Sequence, residues 1–191
     1  MCAMTHVLPT VRNGVDSAQM FGTLDAIKAT PELGAFEFRA TNTWIDGAHN
    51  RSTIQYFYGA GQEDRSRRQA FTVDAGEPSI LLGSDTGPNP AELLLSALAA
   101  CLTTTLVYVA TARKVQLSEV SSTLTGKMDV RGALGVSDEV RNGFTDISVH
   151  FDVKGDADDA KLRELVDRAQ QRSAVYDMVT HGVPVAVTCS T

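Results

Sequence analysis

The sequence is poor in the residues that cross-link small proteins. Its 191 residues include three cysteines, Cys2, Cys101 and Cys189, with no Cys-x-x-Cys pair. An odd number of scattered cysteines argues against a disulfide framework, and no histidine completes a zinc-finger pattern with them. The chain is long enough to bury a core without such help. We therefore expect no metal and no cofactor, and each cysteine is either a small buried apolar residue or a reactive thiol.

Basic residues are also scarce. The chain has 17 Lys and Arg against 23 Asp and Glu, a net charge of −6. Such a surface repels polyanions, so neither nucleic acid nor a membrane is expected as a partner. The one basic cluster, Arg65, Arg67 and Arg68, is interpreted as a solvated loop. The first residues contain no basic region followed by an apolar stretch, which indicates a cytoplasmic protein with free thiols.

The spacing of apolar residues predicts an α+β fold, because the strands come in groups rather than alternating strictly with helices. Residues up to Asn13 are predicted to be a loose tail, and Asp46-Gly47 a turn. Ser173 is predicted to cap a short helix that ends at His181. The predicted helices are 16–30, 90–112, 156–172 and 174–181, and the predicted strands lie near 36–44, 53–57, 70–73, 118–129, 145–153 and 183–188.

One long apolar run is present in an otherwise ordinary composition. Asn89 is a typical N-cap, Pro90 suits a first helical position, and Leu93 to Ala112 carries no charge. That length meets the criterion for a membrane span. Its serine and threonines and the half-buried strands around it favour a core helix instead. Because a helix without a polar face needs cover on every side, we expect a second subunit to supply part of it.

Cys101 lies in the middle of this run. Ala99-Ala100-Cys101 fits small-residue packing, so a structural role and a reactive role both stay open. The thiol is about three turns from the start of its own helix, where the helix dipole has little effect on its pKa. A reactive Cys101 would therefore need a cation brought from elsewhere in the fold.

Gly87-Pro88-Asn89-Pro90-Ala91-Glu92-Leu93 leads to Ala99-Ala100-Cys101-Leu102. A G-x-N-P-x-E/Q-L motif before a small-residue helix with a reactive cysteine is the pattern of the osmotically induced / organic hydroperoxide resistance (OsmC/Ohr) family, which the sequence resembles over roughly 35–189. The resemblance implies an OsmC-like fold, with two antiparallel-rich sheets around a long buried central helix, and an intertwined homodimer. It divides the chain into an N-terminal tail and helix, 1–34, and an OsmC-like domain, 35–191.

The resemblance also implies a thiol-dependent peroxidase of the oxidative stress response. In that chemistry the Cys101 thiolate attacks the terminal oxygen of an organic hydroperoxide, and a sulfenic acid and an alcohol result. In the family a second cysteine then condenses with the sulfenic acid, and an external dithiol resets the pair. Apolar surroundings of the thiol would favour fatty or aromatic hydroperoxides over hydrogen peroxide.

The position of the family's second cysteine is occupied by Ser173. Serine cannot form a disulfide, so the resemblance implies that an external thiol resolves oxidised Cys101, with Cys189 or Cys2 as alternatives.

Two further positions differ from the family pattern. The family glutamate, ten residues before the cysteine, corresponds to Ala91, and Glu92 lies one position on. Glu92 is about 180° round the helix from the cysteine and ~13 Å along it, so it could serve only a partner's thiol or else favour the helix N-terminus. The family arginine corresponds to Ile45, with Arg39 and Arg51 as the nearest substitutes.

The candidate catalytic residues are therefore Cys101, Glu92, Arg51 and Ser173. The expected partners are a second copy of the chain, a small organic hydroperoxide and an external thiol reductant. An alternative hypothesis keeps the fold and the dimer but assigns no turnover, with a small hydrophobic ligand bound in an apolar pocket beside Cys101.

Overall fold

The computed structural model describes residues 11–191. These residues form two compact units, Asp16–Leu94 on the one hand and Val11–Val15 with Leu95–Thr191 on the other. The helices are α1 (Ser17–Ala29), α2 (Pro90–Ala112), α3 (Val130–Ala133), α4 (Asp159–Arg172) and α5 (Ala174–His181), and the strands are β1 (Val11–Arg12), β2 (Val15–Asp16), β3 (Glu37–Phe38), β4 (Thr41–Asp46), β5 (His49–Ile54), β6 (Phe57–Gly59), β7 (Gln62–Asp64), β8 (Phe71–Ala75), β9 (Leu117–Lys127) and β10 (Asp146–Gly155).

The fold class is mixed α+β with antiparallel sheets, as predicted. The described residues form four sheets, with strand orders β1-β2, β3-β6-β7, β4-β5-β8 and β9-β10, and the strands of the last three sheets pair antiparallel. Helices α1, α2, α4 and α5 confirm the predicted helices to within three residues at each end. The predicted boundary between 1–34 and 35–191 stays a prediction.

In the first unit, β4, β5 and β8 form an antiparallel sheet with β5 in the middle, and a tight turn joins β4 to β5. Asp46 pairs with His49 across the predicted turn, and Gly47 there has φ +54°, a conformation that glycine adopts at no steric cost. The predicted strand 53–57 is wrong in its bounds, because β5 ends at Ile54 and β6 begins at Phe57. Gln55 between them pairs with no strand, and its carbonyl accepts a hydrogen bond from the Arg67 guanidinium over 3.0 Å.

The predicted loose tail is wrong for Val11–Asn13, and the rest of that prediction lies outside the described residues. Asn13 and Gly14, with φ of 52° and 77°, form the turn of the β1-β2 hairpin. The Asn13 amide donates to Val115 O over 2.9 Å, and its oxygen accepts from Leu117 N over 2.8 Å. One side chain thereby joins the hairpin to the segment that links α2 with β9.

The core of the second unit lies between α2 and α4. Leu106 and Ala110 of α2 are fully buried and cluster with Leu162, Leu165 and Ala169 of α4. The α4 residues recur at helical spacing, so one face of that helix is apolar as predicted. The long β9-β10 ladder contributes partly buried residues to the same cluster, namely Leu117, Val120, Phe151 and Val153.

Within the chain, α2 buries only one stripe of its surface, formed by Leu98, Leu102, Leu106, Ala110 and Thr111. Its most apolar window has a mean hydropathy of 2.0 and is 22% buried. Among the described residues it is the one helix long and apolar enough to cross a membrane. The predicted enclosure of α2 on all sides is therefore not provided by the single chain.

The predicted last strand, 183–188, is wrong for the isolated chain. Residues 183–191 join no ladder in the described structure. The alternating residues Val183, Val185 and Val187 are 56%, 78% and 89% exposed. A strand needs the hydrogen bonds of a neighbouring strand edge, and the alternation that predicted it has no partner within this chain.

Candidate functional site

The Cys101 thiol is paired with the hydroxyl of Ser173. Ser173 Oγ donates a hydrogen bond to Cys101 Sγ over 3.2 Å. Cys101 is a free, partly buried thiol, and Ser173 is 2% exposed. The two residues are 72 positions apart in sequence, so the packing of α4 beside α2 brings them together.

Ser173 is held at the junction of two helices. It follows the last residue of α4, where its N–H donates to Gln170 O over 3.3 Å, and it is the N-cap of α5. Its Oγ accepts from Tyr176 N over 3.2 Å, which confirms the predicted cap. A hydroxyl has one donor and two acceptor positions, so the same oxygen can cap α5 and donate to the thiol.

Burial and hydrogen bonding act in opposite directions on the Cys101 thiol. Burial raises its pKa, because desolvation disfavours the thiolate. Hydrogen bonds from the Ser173 hydroxyl, the Val175 and Ala174 N–H groups and the Thr105 hydroxyl lower it, and the net pKa of Cys101 lies below the ordinary value for cysteine. Ala174 and Val175 open α5, so the thiol lies at a helix N-terminus, where unpaired N–H groups favour negative charge.

The sequence-based expectation that only a cation could activate Cys101 is therefore incomplete. The groups that lower its pKa are neutral N–H and O–H donors, and the helix that contributes two of them is α5 rather than α2. The contacts of Thr105, Ala174 and Val175 with the thiol were not predicted from the sequence. The available signal was Ser173 itself. It is a predicted N-cap, and it occupies the position of the family's second cysteine, which must come close to the first. Together these two features predict a helix N-terminus next to Cys101.

Glu92 lies at the start of α2 and is used there as a helix cap. Asn89 Oδ1 accepts from Glu92 N over 2.8 Å, and Glu92 Oε2 accepts from Asn89 N over 2.9 Å. This reciprocal pair is a capping box, which satisfies two backbone donors at the helix N-terminus. The predicted N-cap at Asn89 is confirmed, and the carboxylate of Glu92 is engaged in its own helix.

Arg51 is engaged by a carboxylate of the neighbouring strand. Its Nε and a terminal nitrogen donate to the two oxygens of Asp74 over 2.9 and 3.1 Å, and His49 Nε2 lies 2.8 Å from Asp74 Oδ1. The hydrogen bonds from Arg51 and then from His49 lower the pKa of Asp74, and the same contact raises the pKa of Arg51. His49, the first residue of β5, therefore shares Asp74 with Arg51.

The other arginine considered from the sequence, Arg39, is bound between two carboxylates. It donates to Glu37 and to Glu63, both over 2.7 Å. In the part of the chain that the structure describes, no three His, Cys, Asp or Glu side chains come together as a metal site. Of the four predicted site residues, the structure thus brings together Cys101 and Ser173, and it shows Glu92 and Arg51 with partners of their own.

Comparison with known proteins shows a match to the family model "OsmC-like protein" over residues 83–188. No curated protein matches the sequence. Among solved structures, an OsmC-like protein from Mycoplasma pneumoniae is 17% identical with a TM-score of 0.58, over 75% of this chain and 86% of that one. An organic hydroperoxide resistance protein OsmC from Legionella pneumophila is 18% identical with a TM-score of 0.54, over 76% and 91%. An OsmC-like protein from Vibrio cholerae is 12% identical with a TM-score of 0.53, over 75% and 94%. At these identities the likeness concerns the fold.

Proposed function

The chain belongs to the OsmC-like protein family, and from this premise we propose that it is a thiol-dependent peroxidase that reduces organic hydroperoxides through Cys101. The observation that carries the proposal is the environment of the thiol. Hydrogen bonds from Ser173 and the α5 N-terminus lower the pKa of Cys101 despite its burial. The thiolate is the nucleophilic form of cysteine, so these contacts increase the reactive fraction at neutral pH.

In the proposed first step, Cys101 Sγ attacks the terminal oxygen of the hydroperoxide. The S–O bond forms as the O–O bond breaks, and the leaving alkoxide takes a proton from solvent and departs as the alcohol. The sulfur is oxidised to a sulfenic acid and the peroxide is reduced. Ser173 and the N–H groups of Ala174 and Val175 stabilise the thiolate before the attack.

In the proposed second step, an external thiol condenses with the Cys101 sulfenic acid, and a mixed disulfide and water result. A second molecule of that thiol attacks the mixed disulfide, releases the Cys101 thiolate and leaves as the external disulfide. Two external thiols are thereby oxidised for each hydroperoxide reduced. Ser173 supports this route because the residue bonded to the thiol cannot itself form a disulfide. Catalytic roles for Glu92 and Arg51 stay predictions.

We further propose that the protein is an intertwined homodimer that covers α2, with the OsmC-like domain at 35–191. The uncovered surface of α2, which includes Leu94 and Tyr108 at 40% and 50% exposure, supports a second subunit. The exposed alternating valines of 183–187 support strand pairing with that subunit. The free thiols of Cys101 and Cys189 support a reducing, cytoplasmic location.

The test compares hydroperoxide consumption by the wild type, Cys101→Ser and the matched control Cys189→Ser, with cumene hydroperoxide and a monothiol reductant. We expect turnover by the wild type and Cys189→Ser and none by Cys101→Ser. Turnover that persists in Cys101→Ser would show that another group performs the chemistry. A preparation that stays monomeric and soluble without detergent would contradict the dimer.

A second candidate function is ligand binding without turnover. It is favoured by one observation: the partner of Cys101 is a serine, so no internal disulfide can complete a redox cycle at this position. In that case the wild type would retain a small hydrophobic molecule through purification and consume no hydroperoxide. Mass spectrometry of the protein under native conditions, run beside the turnover assay, separates the two candidates.

A further inference from the structure

Strand β4 is an open edge of its sheet. It pairs with β5 on one side, and within the described residues no strand pairs with its other side. All six of its residues are exposed, including Trp44 at 69%. Its register with β5 is regular from Thr41 to Trp44 and shifts only at the turn end of the strand. Such an edge presents a row of unpaired N–H and C=O groups to which another strand can bind.

The other strand edges in the described part of the chain are shorter, covered or charged. β3 and β7 have two and three residues. The backbone of β8 is in close contact with Gly87, where a Cβ atom would lie 2.5 Å from Asp74 O. β9 and β10 carry charged side chains such as Glu119 and Lys154, which protect an edge against further pairing. Residues 41–45 of β4 carry no charge.

Residues 183–188, here called the C-terminal segment, alternate like a strand but belong to no ladder. The side chains of Val183, Val185 and Val187 lie on one face when the chain is extended. The N–H and C=O of one residue point to the same side of a strand, so the three valines form one row and Pro184, Ala186 and Thr188 form the other. Proline is tolerated in a strand where its missing N–H faces solvent. The row of the valines is therefore the one that can pair.

The sheet of β4 has one apolar face. Trp44 lies opposite Asn50, which lies opposite the buried Ala75, and the half-buried Val73 is on the same face. The other face carries the ion pair of Arg51 and Asp74. Three valines added beside β4 fit the face of Trp44, because the opposite face is polar.

We propose that the C-terminal segment of one copy binds the edge of β4 in a second copy, as a fourth strand with its valines on the face of Trp44. This inference rests on the homodimer of the proposed function and names the strands that join its subunits. By two-fold symmetry the pairing occurs twice in the dimer.

Charge and hydrogen bonding favour this pairing. Each copy has a net charge of −6, so two copies repel each other least where uncharged surfaces meet, and both strands are uncharged. Trp44 Nε1 already donates to Gly47 O over 2.9 Å. The indole ring can therefore be buried by a second copy without leaving a donor unpaired.

The area available also fits a subunit contact. The exposed side-chain surface of the three valines and Trp44 amounts to about 800 Å² over the two pairings. A stable interface buries about 1,200–2,000 Å² in total. The two pairings would supply a large part of that area, and the uncovered surface of α2 would supply the remainder.

The first test is disulfide formation between two different chains, in a background whose three cysteines are replaced by serine. A tagged chain with Asn42→Cys is co-expressed with an untagged chain in which one valine of the C-terminal segment is replaced by cysteine, and the pair is oxidised with copper phenanthroline. Asn42 lies on β4, on the face of Trp44. The matched control is Phe71→Cys, an exposed position on the same face at the opposite edge of the sheet.

We expect a mixed covalent dimer with Asn42→Cys for at least one of the three valine positions and none with Phe71→Cys, because a disulfide requires Cα atoms within about 7 Å. Equal yields with Asn42→Cys and Phe71→Cys would overturn the proposal. A dimer in sedimentation velocity that forms no such disulfide would overturn this pairing and leave the dimer of the proposed function standing. A parent that sediments as a monomer would overturn both, and the peroxidase assay is read independently.

The second test compares two proline variants. Val185→Pro removes an N–H from the row that pairs with β4, and Ala186→Pro removes one from the row of Pro184. Trp44 is the single tryptophan of the sequence, so its emission on dilution reports the Kd of the dimer at β4 itself. We expect Val185→Pro to raise the Kd at least about tenfold and Ala186→Pro to leave it within about twofold. Equal effects of the two variants, or an emission of Trp44 that stays that of an exposed indole in the dimer, would overturn the proposal.

Discussion

Replacing Ser173 by alanine tests whether its hydroxyl tunes the Cys101 thiol. The substitution removes the 3.2 Å hydrogen bond from Ser173 Oγ to Cys101 Sγ and also the N-cap bond that Tyr176 N donates to the same oxygen. The first loss acts on the pKa of Cys101 and the second on the stability of α5. The two effects can be measured separately.

The expected size of the pKa change follows from the strength of the lost bond. A hydrogen bond to a charged group contributes about 1.5–3 kcal/mol, and about 1.4 kcal/mol corresponds to one pKa unit. Sulfur is a weak acceptor, and the N–H groups of Ala174 and Val175 and the Thr105 hydroxyl remain in place. We therefore take the lower end of that range and expect the pKa of Cys101 to rise by about 1 unit in Ser173→Ala.

The assay is the rate of alkylation by iodoacetamide as a function of pH, in a Cys2→Ser/Cys189→Ser background so that Cys101 is the one thiol observed. Ser173→Gly is the matched variant. It also removes the hydroxyl, but glycine at an N-cap costs only a few tenths of a kcal/mol, against about 1 kcal/mol for alanine. Urea unfolding of each variant reports the stability of the fold.

An equal rise of the Cys101 pKa in Ser173→Ala and Ser173→Gly, with a larger loss of stability in the alanine variant, would support the assignment. An unchanged pKa in both variants would refute it and leave Ser173 as a helix cap alone. A parent pKa above the usual value of about 8.5 would contradict the lowered pKa itself and with it the main support for catalysis.

Three further predictions follow from other contacts. Ser173→Cys should form a disulfide with Cys101 when treated with one equivalent of cumene hydroperoxide, because the two side chains are already in contact. Peptide mapping without reductant checks this. Over-oxidation of Cys101 with no disulfide would contradict it. Arg51 lowers the pKa of Asp74, so Asp74 stabilises the fold above its unfolded pKa and loses this effect as the pH falls through its folded pKa. Asp74→Asn should therefore flatten the dependence of Tm on pH below about pH 4. An unaltered profile would show that the pair contributes nothing to stability. Leu106 is buried, at 0% exposure, and Leu106→Ala should lower the free energy of unfolding by about 2–5 kcal/mol. Leu82 is exposed, at 97%, and Leu82→Ala should change it by less than about 0.5 kcal/mol. Urea titrations at one protein concentration measure both.

Local signals in the sequence predicted the helices well. The N-cap at Asn89 followed by Pro90 marked the start of α2, and Gly182 after a last-turn histidine marked the end of α5. These signals act within one helical turn, so they do not depend on the rest of the fold. The strands were predicted less exactly, and 183–188 was wrong for the single chain, because a strand is completed by a neighbour that can be distant in sequence or in another molecule.

The candidate site, too, was predicted only in part from the sequence. The motif from Gly87 to Leu93 and the small residues before Cys101 identified the family and the candidate thiol from the sequence. The match of Ser173 to the second cysteine position was also available there, and the 3.2 Å contact is consistent with it. Sequence reasoning looked for a charged residue to activate the thiol and missed the uncharged donors of α5.

What the sequence by itself determined was therefore the class of fold, the helix ends, the family and the identity of the thiol, all of which depend on contiguous residues. What only the tertiary structure decided was the set of hydrogen-bond donors around that thiol. A pKa depends on which donors surround a group in space, and three of the four donors here, Ser173, Ala174 and Val175, lie 72 to 74 residues after Cys101 in the sequence. The packing of α4 against α2 brings them to Cys101.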